Sequence, residues 1–199
     1  MSGVKVAYDK TQPHSFLRWA NNYFRHFQTD MGKIDIAKFK RQSKKKKPVL
    51  AKFLRKLGKS TTKGILKVAK EAEAATWKEI QCLDCGNCCK QMTPTYTRKD
   101  ILRIAAHFNM TYQEFFEKWL EKRRDGDITN RKNPCQFLGK DNKCSIYAIR
   151  PEDCAGFPHL YRRDIRYQAT EKTYTNNLDF CPATLVFVEK MQAAMEADL

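Results

Sequence analysis

Apolar residues along this chain recur mostly every three or four positions, the spacing of helices buried on one face. Phe16, Leu17, Ala20, Tyr23, Phe24 and Phe27 share such a face, with Arg18, Asn21 and Arg25 off it. A short amphipathic helix after Pro13 is therefore expected. Met31-Gly32 breaks the pattern, and Met31 offers an alternative start that would make residues 1 to 30 an optional extension. The run Lys44 to Lys47 ends at Pro48, after which Val49, Leu50, Phe53, Leu54 and Leu57 predict a helix stopping at Gly58. A third helix is expected from Thr61 or Thr62, carrying Ile65, Leu66, Val68, Ala69, Ala72, Trp77 and Ile80.

Two later helix starts are written in capping boxes. Thr97-Arg-Lys-Asp100 precedes Ile101, Leu102, Ile104, Ala105 and Phe108, and Thr111-Tyr-Gln-Glu114 precedes Phe115, Phe116, Trp119 and Leu120. Helices joined this closely predict an antiparallel hairpin, expected to pack over the region of the cysteines described below. Residues 125 to 147 read as loop, with a turn through Gly139 to Asn142. Pro151, suited to a first helical position, predicts a brief helix through Cys154, and Pro182 starts a last one bearing Leu185, Val186, Val188 and Met191. The expected fold is mainly α: a small irregular domain with a helical hairpin and a basic helical N-terminal extension.

Charge divides the chain. Residues 1 to 81 hold 20 Lys/Arg against 6 Asp/Glu, whereas residues 82 to 199 hold 18 against 16. All eight cysteines fall in the second part, so the expected organisation is a basic extension over 1–81 and a cysteine-bearing domain over 82–199. Lysine-rich helices punctuated by Phe and Leu suit RNA or another acidic partner, although their apolar spacing favours packing against the domain. The longest purely apolar run is Leu185 to Val188, so no transmembrane segment is expected. Met1 to Asp9 lacks the apolar core of a secretion signal, and the expected location is cytoplasmic.

That location changes how the cysteines read, because thiols stay reduced there and clusters of them more often bind metal than form disulfides. Cys82-Leu-Asp-Cys85-Gly-Asn-Cys88-Cys89 is a C-x2-C-x2-C-C pattern, a tight turn able to aim several thiolates at one centre. Gly86 fits such a turn because glycine accepts a positive φ. Cys135, Cys144, Cys154 and Cys181 lie too far along the chain to be local partners, so folding must bring them in. Four thiolates satisfy either zinc or an iron–sulfur cluster, and eight are enough for two tetrathiolate zinc sites. Side chains of adjacent residues tend to diverge, so one of Cys88 and Cys89 is expected to serve a second centre or to stay free as a reactive thiol. Arg150, beside Cys154, is expected to donate to sulfur or to nearby carbonyls, or else to pair with Glu152 or Asp153. His159 reads as a surface or packing residue, and His14, His26 and His107 receive no role.

The order C-x2-C-x2-C-C, then Pro134-Cys135-Gln136-Phe137-Leu138, then Cys144-Ser-Ile-Tyr147-x-x-Arg150-Pro151-x-x-Cys154-x-x-Phe157-Pro158, then Cys181-Pro182, resembles the CxxCxxCC, YkgJ-type cysteine-cluster family. The resemblance covers roughly residues 82 to 182 and implies a zinc- or iron-chelating domain. It also implies kinship with a flagellin lysine N-methylase thought to carry an iron–sulfur cluster, which lends weight to iron. No glycine-rich nucleotide or S-adenosylmethionine loop is present, so methylation does not carry over. Three functions are therefore expected in turn: a metal-binding protein, a metal-dependent enzyme, and a nucleic-acid-associated module with a structural metal. No paired carboxylates, nucleophile–histidine arrangement or phosphate loop speaks for the second.

Overall fold

The computed structural model describes residues 34–58, 64–161 and 171–197. In chain order these form α1 (Ile36–Gly58), α2 (Ile65–Glu79), α3 (Asn87–Gln91), α4 (Arg98–His107) and α5 (Tyr112–Trp119). The strands β1 (Leu120–Lys122) and β2 (Ile128–Asn130) follow, then α6 (Glu152–Gly156), α7 (Glu171–Asn177) and α8 (Pro182–Ala197). Single 3-10 turns occupy Cys82–Asp84 and Tyr147–Ile149. The mainly helical class expected from periodicity holds. The helix predicted after Pro13, and Met31, lie outside the described residues.

One boundary is corrected. The second helix starts at Ile36 rather than after Pro48, and Pro48 sits inside it. A proline there removes one backbone donor, which is tolerated because Pro48 is exposed and water can serve the freed carbonyl. The helix continues because Phe39, Ser43, Leu50, Leu54 and Leu57 form one buried stripe, with Ser43 Oγ donating to the Leu178 carbonyl at 2.7 Å.

The described residues bury two apolar clusters. The first joins Phe39, Leu54 and Leu57 of α1 and Ile65 and Ala69 of α2 to Tyr174 of α7 and Phe187 and Met191 of α8. Lys190 Nζ donates to Glu79 Oε1 at 2.7 Å, Lys47 pairs with Asp179 at 2.5 Å, and Lys46 pairs with Glu189. The composition changes at residue 82 but this core spans both sides of it: α1 and α2 bury their apolar stripes against the C-terminal helices.

The second cluster is built from Tyr96 before α4, Ile101 and Ile104 of α4, Phe115 of α5, Leu120 of β1, and Phe137 and Ile146 of the following loops. Its rings interlock, with Phe115 and Trp119 at 4.9 Å and Phe108 stacked on Phe137 at 5.8 Å between centroids. Both capping boxes form as expected. The β1–β2 hairpin pairs Leu120 with Asn130 and Lys122 with Ile128; it lies across the start of the stretch expected to be loop.

Candidate metal centre

The cysteine-rich turn owes its shape to Gly86. Its φ of +54° suits glycine, and a Cβ there would stand 3.0 Å from the Asn142 carbonyl oxygen and 3.1 Å from Leu138 Cδ1. The turn is thus pressed against the loop that carries Cys144. Beyond it, α3 presents Cys88 and Cys89, whose sulfurs stand 3.9 Å apart. The Cys89 carbonyl accepts from Cys135 N at 2.8 Å, which docks the second segment directly on the first. The predicted turn through Gly139 to Asn142 is present: Asn142 N donates to the Gly139 carbonyl, and Leu138 bridges to Cys144 in antiparallel register. Cys154 arrives on α6.

Six of the eight cysteines, Cys82, Cys88, Cys89, Cys135, Cys144 and Cys154, line one cavity of about 100 Å³, together with Arg150, Tyr96 and Asp153. Cys85 and Cys181 do not line it; Cys85 is buried, Cys181 is partly buried, and a charge on Cys85 raises the Cys181 thiol. All eight are free thiols. Among the described residues no three Cys, His, Asp or Glu side chains form a ready-made ion site, so the thiols surround the cavity rather than converge on a point. No histidine lines it; His159 instead lies 3.8 Å from Asp153.

Burial pushes the thiols of Cys82, Cys85, Cys135, Cys144 and Cys154 up, and neighbouring cysteines add to it. For Cys89 the contact with Cys88 comes first and burial second. A charge on Cys89 would also raise Cys82, Cys85, Cys135, Cys144 and Cys154. A metal ion must therefore displace protons from these thiols when it binds. Arg150 opposes the trend by lowering Cys82 and Cys144. Its guanidinium lies 3.8 Å over the Tyr147 ring and donates to the Tyr147 carbonyl at 2.6 Å, the carbonyl contact expected from sequence.

The donor set fits a thiolate-bound metal: six thiols around one space, one guanidinium to offset their charge, and no imidazole among them. Three residues outside the expected set hold it together. Asn87, 2% exposed, donates through Nδ2 to the Phe180 carbonyl at 2.7 Å, joining the turn to the residue before Cys181. Asp100 reaches past its own capping box to accept from Glu152 N at 3.1 Å, fixing the start of α6 two residues before Cys154. Tyr96 OH donates to Asn130 Oδ1 at 2.7 Å on the cavity wall. Asn87 was visible inside Cys-Gly-Asn-Cys-Cys and Asp100 inside its box, but their distant partners were not.

The family model described as "Putative zinc- or iron-chelating domain", CxxCxxCC, matches residues 81–182, a span that holds every cysteine. The chain belongs to that family. It is also similar to an uncharacterized protein, MJ0661, of Methanocaldococcus jannaschii, at 32% identity over 81 residues. That stretch is 39% of this chain and 43% of the relative, so less than half of either is shared. No solved structure matches the chain. No helix among the described residues is long and apolar enough to cross a membrane.

Proposed function

We propose that this protein binds metal through the six-thiol cavity, with Cys85 and Cys181 closing the centre from behind, and that the metal is an iron–sulfur cluster. The observation carrying this reading is that four separate stretches of chain deliver cysteines to one cavity. One feature favours a cluster over a single zinc; the number of cavity thiols, six, exceeds the four that either group takes and does not separate them. Sulfurs on one tetrahedral zinc stand roughly 3.8 Å apart, given a bond of about 2.3 Å. Cys88 and Cys89 already stand near that spacing at 3.9 Å, but with no ready-made ion site among the described residues the other thiols would have to draw in, whereas a polynuclear group fills the space between them. Bound there, the group would supply redox or Lewis-acid chemistry. The chain's own part is to hold thiolates, keep them from water and offset their charge with Arg150.

Anaerobic purification followed by metal and sulfide analysis tests the reading. Iron with acid-labile sulfide and visible absorption is expected, and Cys89→Ser should lose most of it because Cys89 lines the cavity, contacts Cys88 and docks the Cys135 segment. Stoichiometric zinc in a colourless protein would replace the cluster by a tetrathiolate site. Absence of any bound metal would overturn metal binding altogether.

A further inference from the structure

Three buried side-chain atoms among the described residues complete no hydrogen bond: Asn130 Nδ2, Thr175 Oγ1 and Thr184 Oγ1. Native proteins rarely leave buried donors unpaired, so each calls for a partner. Thr175 lines an open groove with the lysines of α1. The other two belong to side chains that each act on a cysteine thiol.

Thr184 is 0% exposed and lies on the first turn of α8, three residues after Cys181. Thr184 N donates to the Cys181 carbonyl at 3.1 Å, so Cys181 occupies the cap of the helix. Burial raises the Cys181 thiol, while the Thr184 and Ala183 N–H groups and the Thr184 hydroxyl pull it down. The hydroxyl is thus near enough to act on the sulfur without completing a bond to a neutral thiol. Asn130, 4% exposed at the end of β2, is fixed from the other side. Its Oδ1 accepts from Tyr96 OH at 2.7 Å and from Gln136 Nε2 at 3.0 Å, and Nδ2 is the end left without a partner. That side chain is the one that lowers Cys135.

A neutral thiol is a weak acceptor, whereas a thiolate bound to a cation accepts strongly. We infer that Asn130 Nδ2 and Thr184 Oγ1 are the positioning donors of the centre, satisfied only when Cys135 and Cys181 are metal-bound thiolates. The inference rests on the ligand reading above. It adds that the fold keeps two donors waiting, and that their partners are present only in the loaded state.

Cobalt(II) is a suitable probe because sulfur-to-cobalt charge-transfer absorption reports the state of the thiolates. Thr184→Val keeps the shape and removes the hydroxyl. The metal-free variant should melt no lower than the wild type, since no bond is lost there. Its cobalt affinity should fall about tenfold or more, with the charge-transfer band moved to lower energy, and Thr184→Ser should restore both. Asn130→Asp keeps the acceptor for Tyr96 and Gln136 but replaces the donor, and should show the same loss. Unchanged affinity and band in both variants would overturn the inference while leaving the site intact. A loss that comes with a less stable metal-free protein and resists rescue by serine would also overturn it, as plain structural damage. A wild type that takes up no cobalt overturns the ligand reading and this inference together.

Discussion

Cys181 shows how one partly buried thiol contributes to the pH response of the fold. Burial raises it from 9.0 to about 11. A group whose folded pKa lies above its unfolded value stabilises the fold fully below about pH 9, and that contribution disappears as pH rises through about 11. Two units correspond to roughly 3 kcal/mol. The metal-free, reduced protein should therefore lose stability between pH 9 and 11. Its advantage over Cys181→Ala in denaturant melts should shrink across the same window. Metal loading has the opposite sign, because binding releases protons and is favoured by rising pH. A gap between the two proteins that stays constant from pH 8 to 11 would contradict this account of Cys181.

At the scale of elements, the two capping boxes look alike in sequence but do different work. In α5 the box is local: Thr111 and Glu114 satisfy each other at an exposed helix start. In α4, Asp100 is 0% exposed and accepts from Thr97 N at 3.0 Å, Thr97 Oγ1 at 2.7 Å, Arg103 Nη2 at 2.7 Å and Glu152 N at 3.1 Å. Burial would raise its carboxyl, but these donors outweigh that and hold it below the ordinary range. Asp100→Ala should cost roughly 2–4 kcal/mol, since buried donors lose a charged acceptor. It should also lower metal content by loosening α6 and Cys154. Thr111→Ala should cost only about 1 kcal/mol and leave metal content unchanged. Equal effects of the two substitutions on metal content would show that the reach to Glu152 does not matter. The contrast also marks what the sequence could reveal. Local rules, such as capping, the glycine of the turn and helical spacing, were readable because their causes lie within a few residues. The long α1 was not, because lysines dilute the apolar stripe that begins at Phe39. The split between the six cavity cysteines and the Cys85–Cys181 pair was invisible for the same reason that Asp100's partner was: it depends on contacts between distant stretches.

For the whole molecule, the consequence lies in how unevenly the two clusters are supported. The first buries fifteen apolar residues from α1, α2, α7 and α8 with Leu160 and Leu178, while the second buries eight. Cys135 and Cys144 pack against the smaller cluster, and Cys181 packs against the larger. The cysteine centre therefore stands between them, beside direct ties such as Asn87 to Phe180 and Asn177 Nδ2 to the Pro158 carbonyl at 3.1 Å. A small core gains most from a cross-linking metal, because little other burial opposes the entropy of the loops it fixes. Removing metal by chelation should therefore leave the four-helix core folded and loosen residues 82–157. Amide hydrogen exchange on loaded and stripped protein reads this directly. Protection in α1, α2 and α8 should persist, while α3, α6 and the loop around Cys144 should exchange much faster. Collapse of protection across both clusters at once would mean that the metal holds up the entire molecule. No change in either would mean that the thiols do not bear on the fold at all. The expected partial response follows from which sulfur faces which core, and it makes the centre a fastener between two unequal halves of one chain.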